Sequence, residues 1–246
     1  MTFKDKVILI TWASKWIWRT TALLFWKEWA IVIVNYNKSK IEANKVAKNI
    51  EKLWWKALVI KCDISIEEEV INMVNLIISK FKKIDILINN AWISNDVPIF
   101  ERTVEQWRRT MDVNLLWTFL CSKYVIKEMM KKWEWKIVNL WSINWTKDFY
   151  PEQIDYDISK AWIITLTKEF AKIAWENIRV NTLAPWNIDN YDEENPTWDP
   201  SDDELNKVYL RRHWSILEVW KAILFLSWDN SSFINGTTLF LDGWFN

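Results

Sequence analysis

Glycine is all but missing from this chain, with 2 in 246 residues, where globular proteins average about 7%. That scarcity excludes glycine-rich linkers and strips most turns of the residue that tolerates φ > 0. Histidine occurs once, at 213, which argues against a Ser-His-Asp triad and against a His-based metal site, so no metal is expected. The 2 cysteines are too few for a disulfide framework. Cys62 ends a predicted strand and Cys121 falls in a predicted helix, which suits reduced core thiols. Neither charge sign prevails, since Lys+Arg and Asp+Glu are both 32. There is no global field to draw nucleic acid or an anionic membrane, and a small-molecule substrate is the expectation. Apolar runs such as Ile31 to Val34 fall far short of the roughly 20 residues that a membrane span requires. Met1-Thr-Phe-Lys-Asp-Lys leads into a strand with no signal-peptide core, so the expected location is cytoplasmic.

Tryptophan fills the gap that glycine leaves. The 22 tryptophans recur where turn chemistry expects glycine: Lys27-Glu28-Trp29-Ala30, Leu53-Trp54-Trp55-Lys56, Asn90-Ala91-Trp92 and Pro185-Trp186. Trp107, inside Glu105-Gln106-Trp107-Arg108, reads as ordinary. The two anomalies read as one, a nearly wholesale exchange of glycine for tryptophan, made in the written sequence or in the molecule. Its expected signature is φ > 0 or a Cβ-intolerant contact at 12, 18 and 92. In the alternative, a naturally tryptophan-rich protein, the indoles there are well packed with ordinary dihedrals.

No Pro/Gly/Ser-rich stretch or charge block divides the chain, so residues 1–246 read as a single domain. Short β-branched runs alternate with longer segments of helical period, predicting strands near 7–11, 30–35, 57–62, 85–89, 136–140, 178–183 and 238–241. The expected fold is α/β, a doubly wound parallel seven-stranded sheet of Rossmann type with helices on both faces. Ligands of such sheets bind beyond the C-terminal ends of the strands. Trp186 to Asp203, rich in Asp, Glu, Asn and Pro, reads either as a solvated loop or as part of a substrate lid over about 186–212.

Tyr156-Asp-Ile-Ser-Lys160 sets a phenol and an ammonium one helical turn apart on one face. Tyr titrates near 10, and an adjacent cation favours the phenolate, which makes the hydroxyl a usable general acid/base. Alone, that pair is common on surface helices. Ser142, just after the strand Lys136 to Leu140, can hydrogen-bond a substrate oxygen at the same sheet edge, or can simply cap a turn.

Taken together, these pieces resemble the short-chain dehydrogenase/reductase family from about Lys6 to Asn246. The resemblance rests on Thr11-Trp-Ala-Ser-Lys-Trp-Ile-Trp18 (family pattern T-G-x-x-x-G-x-G), Cys62-Asp63-Ile64, Asn89-Asn-Ala-Trp92 (N-N-A-G), Asp112-Val-Asn114, Ser142, Tyr156-x-x-x-Lys160, Ile178-Arg-Val-Asn181, Pro185-Trp186-Asn187-Ile188 and Leu241-Asp-Gly243. Phe233 to Gly243 looks like glucose dehydrogenases and oxoacyl-carrier-protein reductases alike. The resemblance implies an NAD(P)-dependent oxidoreductase interconverting a carbonyl and a secondary alcohol of a sugar, ketone or oxoacyl thioester. Tyr156 is then the acid/base, Lys160 lowers its pKa and binds the nicotinamide ribose, Ser142 polarises the substrate oxygen, and Asn114 helps hold a relay water. It also implies a homo-oligomer, commonly a tetramer.

Cofactor contacts are expected from Trp12, Ser14, Lys15, Trp16 and Ile17 in the first loop. Asn35, Tyr36, Asn37 and Lys38 after the second strand, with Asp63 and Ile64, face the adenosine. Asn90, Ala91, Trp92, Tyr156, Lys160, Pro185 and Ile188 complete the set. NAD enzymes place a carboxylate after the second strand. Asn35 to Lys38 has none, and Lys15 with Lys38 can face a 2′-phosphate, so NADP is favoured over NAD. Arg108-Arg109 and Arg211-Arg212 are candidate contacts for an acidic carrier protein. If indoles stand at 12, 16, 18 and 92, they fill the pyrophosphate space and remove its N–H cradle. The competing expectation is therefore a catalytically inactive protein that keeps the fold as a binding or scaffold module.

Overall fold

Seven apolar segments pair side by side in the computed structural model, which describes residues 3–13, 16–51, 57–132, 135–141, 150–174, 176–185, 205–212 and 215–244, with the backbone alone at 16–18 and 51. The strands are β1 (Val7–Ile10), β2 (Ile31–Tyr36), β3 (Ala57–Lys61), β4 (Ile86–Asn89), β5 (Trp135–Leu140), β6 (Ile178–Pro185) and β7 (Thr238–Leu241). They form one parallel sheet in the order β3-β2-β1-β4-β5-β6-β7. All seven lie where their β-branched runs predict. β4 begins one residue late because Asp85 turns its carboxylate to the Val7 N–H at 2.7 Å and pairs with Lys83 at 3.0 Å and Lys6 at 3.7 Å.

Between the strands run α1 (Trp16–Lys27), α2 (Lys40–Glu51), α3 (Glu67–Phe81), α4 (Val104–Met111), α5 (Trp117–Met129), α6 (Ile154–Ile173) and α7 (Ile216–Leu226). Alternate strand residues feed opposite faces, which is why the central strands are apolar throughout. Leu9, Ile33, Leu87 and Ile137 join Val74 of α3 and Val125 of α5 in one core; Ile8, Val32, Ile88 and Val138 join Phe25 of α1 and Ile223 of α7 in the other. Each such side chain, fully buried, contributes about 1.5 to 3 kcal/mol. Cys62 and Cys121 are free and buried in the first core. Burial pushes the Cys62 thiol up to about 12 and Cys121 well above its ordinary value.

Local chemistry fixes the helix ends. Thr103 and Gln106 form a reciprocal capping box at the start of α4, and Ser215 and Glu218 form another at the start of α7. Between α4 and α5 the helix widens into a π-turn over Asp112–Leu116. In the expected lid, residues 186–204 lie outside the described residues. Its far end is anchored: Tyr209 and Leu210 donate their N–H groups to the carbonyls of Trp244 (3.0 Å) and Gly243 (3.2 Å). A Cβ on Gly243 would stand 2.7 Å from Val208 Cγ1, so this close approach needs glycine.

Left-handed backbone occurs at Trp12 (φ 52°), Trp29 (φ 69°) and Trp244 (φ 61°), alongside Gly236 (φ 68°) and Gly243 (φ 54°). Of the three positions expected to show it, only Trp12 does. Trp18 lies in the first turns of α1, where glycine serves close packing instead of a special φ, and Trp92 is not left-handed.

Candidate active site

Strand order reverses between β1 and β4, and the crevice beyond their C-terminal ends is where such sheets bind ligands. The two loops leaving those strands are tied together across it. Thr11 Oγ1 accepts the Asn90 N–H at 2.9 Å, and Asn90 Nδ2 donates to the Thr11 carbonyl at 3.0 Å. Behind them a buried polar chain crosses the sheet. Asn89 Nδ2 donates to Ser122 Oγ and Asn139 Oδ1, Asn139 Nδ2 donates to Thr167 Oγ1 at 2.8 Å, and Thr167 meets Thr182 at 2.7 Å. Asn90 Oδ1 is buried with no hydrogen-bond partner.

α6 carries Tyr156 and Lys160 to this edge, on one face as their spacing predicts. They are 7% and 2% exposed, and Lys160 Nζ lies 5.6 Å from the centre of the Tyr156 ring. Among the described residues no hydrogen bond or ion pair reaches that ammonium, and burial lowers its pKa from 10.5 to about 7. The cation expected beside the phenol is therefore one whose charge burial opposes. A buried amine without a protein partner is costly, and active sites are where such groups persist.

Asn114 sits in the π-turn with no exposed surface. Its Oδ1 accepts the Ile93 N–H at 2.8 Å, while Nδ2 donates to the Ile93 carbonyl at 2.9 Å and to Ser159 Oγ at 3.0 Å. Its side-chain amide therefore fastens the loop after β4 to α6. Ser142, Ser14, Lys15 and Ile188 lie outside the described residues, and Trp16 and Ile17 open α1, described in backbone only.

At the adenosine end, Asn35 is consumed internally. Its Oδ1 accepts the Trp12 N–H at 3.3 Å, and its Nδ2 donates to the Cys62 carbonyl at 3.2 Å. Asn37 Nδ2 donates to Asp63 Oδ2 at 2.8 Å. Burial pushes the Asp63 carboxyl up, but the Ser65 hydroxyl and N–H, Asn37 and the Arg109 charge outweigh it and hold the pKa below the usual carboxylate value. Tyr36, Ile64, Ala91 and Pro185 are buried apolar walls, and Lys38 is exposed.

A nicotinamide dinucleotide fits one end of this crevice and not the other. At the reaction end, the Lys160 ammonium, without a hydrogen-bond partner among the described residues, could donate to ribose hydroxyls, and Asn90 Oδ1 could accept from them. At the phosphate end, Trp12 turns through left-handed backbone. Its half-buried indole packs against the core, with a buried N–H that has no partner. Trp92, 37% exposed, stands edge-on to Tyr156 at 5.9 Å between ring centres.

Sequence reasoning missed one feature of the site. Arg102 Nη1 pairs with Asp155 Oδ2 at 2.6 Å, both side chains at most 3% exposed, and Asp155 Oδ1 accepts the Tyr156 N–H at 3.0 Å. The partners are 53 residues apart, and no periodic pattern announces such a contact.

The family profile described as enoyl-(acyl carrier protein) reductase matches residues 15–246. A 3-oxoacyl-[acyl-carrier-protein] reductase of Synechocystis sp. is 33% identical over 240 residues, covering 97% of this chain and 96% of that one. Among solved structures, NAD+-bound xylitol dehydrogenase is 27% identical with a TM-score of 0.88, covering 99% of this chain and 100% of the other. The ligand-free aldohexose dehydrogenase of Thermoplasma acidophilum is 28% identical with a TM-score of 0.82, covering 98% and 93%.

Proposed function

Because the chain belongs to the short-chain dehydrogenase/reductase family and is by that membership an oxidoreductase, we propose that it interconverts a carbonyl and a secondary alcohol with Tyr156 as the acid/base. The observation that carries this reading is the buried Lys160 ammonium, without a hydrogen-bond or ion-pair partner among the described residues and 5.6 Å from the centre of the phenol ring. A bound nicotinamide cofactor supplies and accepts the hydride. In reduction the Tyr156 hydroxyl gives its proton to the substrate oxygen as negative charge builds there, and in oxidation it takes that proton back. Lys160 steadies the resulting phenolate and donates to hydroxyls of the ribose. Asn114, by pinning Ile93 and Ser159, keeps the crevice wall in register with α6.

NADP is favoured over NAD because Asn35 to Lys38 offers no carboxylate, while exposed Lys38 suits a 2′-phosphate as a point charge. The substrate is an oxoacyl thioester or a sugar carbonyl, the two classes named by the relatives. The buried free thiols accord with work in a reducing cytoplasm.

Kinetics on the protein made in its native host test this reading. Tyr156→Phe should keep its fold and its NADPH affinity while kcat falls by about 10³-fold or more. A variant retaining a tenth of the parent kcat would overturn the acid/base role. A second reading, a scaffold that binds no dinucleotide, draws on the Trp12 indole at the phosphate end. NADPH that neither quenches intrinsic fluorescence nor raises Tm would favour it.

A further inference from the structure

We infer that the nucleotide-binding form of this protein carries glycine where its sequence reads tryptophan at positions 12, 29 and 244, and by extension at most of its other tryptophans. Two independent observations meet here, backbone conformation and unpaired indole N–H groups. Among the described residues tryptophan supplies three of the six non-glycine positions with left-handed backbone, although in the whole chain it is only 22 of 246 residues. An indole has no local hydrogen bond to offset the Cβ clash in that region, unlike Asp or Asn. The two glycines that the chain retains, at φ 68° and 54°, occupy the same conformation.

Local hydrogen bonding tells the same story at Trp29. Its N–H donates to the Trp26 carbonyl at 2.8 Å, and the Ala30 N–H donates to Phe25 at 3.2 Å. That is the left-handed ending of a helix, a position that glycine dominates. The side chain is 54% exposed, so burial of the indole does little to offset the strain.

Some of the indoles are poorly accommodated, although Trp135 and Trp141 donate to the carbonyls of Lys132 and Lys160. The N–H groups of Trp12, Trp117 and Trp220 are buried without a partner, three of the nine such side-chain atoms among the described residues. A natural aromatic core normally finds a partner for that donor. One residue type replaced by one other at sites scattered along a chain points to a single codon read differently, and not to some twenty separate mutations. The exchange also accounts for the misfit at the phosphate end of the crevice. With glycine at 12, the turn keeps its left-handed backbone and no indole stands at the phosphate end.

Peptide mapping and intact mass of the protein purified from its native host decide the matter. We expect glycine in the peptides covering 12, 29 and 244, and an intact chain lighter than the written sequence by one indole side chain per exchanged position. Tryptophan in those peptides overturns the inference. A second arm compares two recombinant chains by calorimetric titration with NADPH, one as written and one with glycine at 12, 16, 18 and 92. The glycine chain should bind about 100-fold more tightly or better, and equal affinity also overturns it. This arm rests on the proposed function only for the choice of ligand. A glycine-bearing protein that binds NADPH yet reduces no carbonyl refutes that function and leaves the inference standing.

A different observation carries a second proposal: the geometry points to Arg102 as a positioning residue for Tyr156. Its guanidinium pairs with Asp155 at 2.6 Å and donates to the carbonyls of Asn95 at 2.8 Å and of Glu152. Val97 N–H returns a bond to Glu152 at 3.1 Å, and Gln153 reaches Asp96 at 2.7 Å. One buried fork thus stitches the 95–102 loop to the first turn of α6, and Asp155 Oδ1 holds the Tyr156 N–H itself. Arg102→Met and Asp155→Asn should each lower kcat by about 10- to 100-fold while NADPH affinity stays within about twofold, and the double variant should be no worse than either single. Arg102→Lys, which keeps the charge and loses the fork, should fall between and guards against a misfolded Met variant. Folded variants whose kcat stays within twofold of the parent, or whose losses multiply, overturn the assignment.

Discussion

Lys160 shows how one residue sets function against stability. Its folded-state pKa lies near 7, below the ordinary 10.5, because burial opposes the charge. Below about pH 7 both folded and unfolded chains carry the proton, so the whole penalty of burying the ammonium falls on the folded state. Between about 7 and 10.5 the unfolded chain binds more protons, so this residue's contribution to stability improves as pH rises. Lys160→Met removes the penalty, worth on the order of 1.4 kcal/mol for each unit of displacement. The variant should therefore lose turnover yet melt about 3 to 10 °C higher than the parent at pH 6, with the gap shrinking toward pH 10. Melting curves across that range check it, and a gap independent of pH refutes the burial argument. The residue pair was legible because four-residue spacing on a helix fixes a shared face. That no partner among the described residues reaches the ammonium was not legible, because it depends on what segments distant in sequence fail to bring near it.

At the scale of elements, the strands were readable from β-branched apolar runs, since burial on both faces leaves little freedom of composition. The π-turn over Asp112–Leu116 was not, because Asp-Val-Asn-Leu-Leu carries an ordinary helical pattern and the extra residue is accommodated through tertiary contacts. Those contacts run through Asn114 to Ile93 and Ser159. Asn114→Leu, close in volume, should leave the Ile93 N–H and carbonyl unpaired at about 1 to 3 kcal/mol for each group. Urea denaturation should show a loss of about 2 to 5 kcal/mol with an unchanged m-value, and an unaltered midpoint would show that the loop after β4 is held by other means. Capping residues give a milder case. Ser215→Ala should cost about 1 kcal/mol, because Ser215 Oγ accepts the Glu218 N–H and Arg212 clamps the same glutamate.

For the whole molecule, the π-turn, α5 and α6 leave an apolar groove lined by Met111, Leu115, Leu116, Phe119, Trp162 and Leu166. Trp162 stands 60% exposed on its rim. A contact between two copies of the chain at this face would bury that apolar surface. Trp162→Glu, or Phe119→Glu should glycine occupy 162, should shift sedimentation toward monomer; unchanged sedimentation in both would place the contact elsewhere.

Cys62 and Cys121 lie in a single core between the sheet and its α3/α5 layer, each with its proton held far more firmly than in a free thiol. Alkylating reagents attack only thiolate that solvent can reach, so neither sulfur reacts until that layer lifts from the sheet. The two atoms form a built-in clock: their labelling rate in native buffer reads out how often this half of the molecule opens, with no engineered reporter.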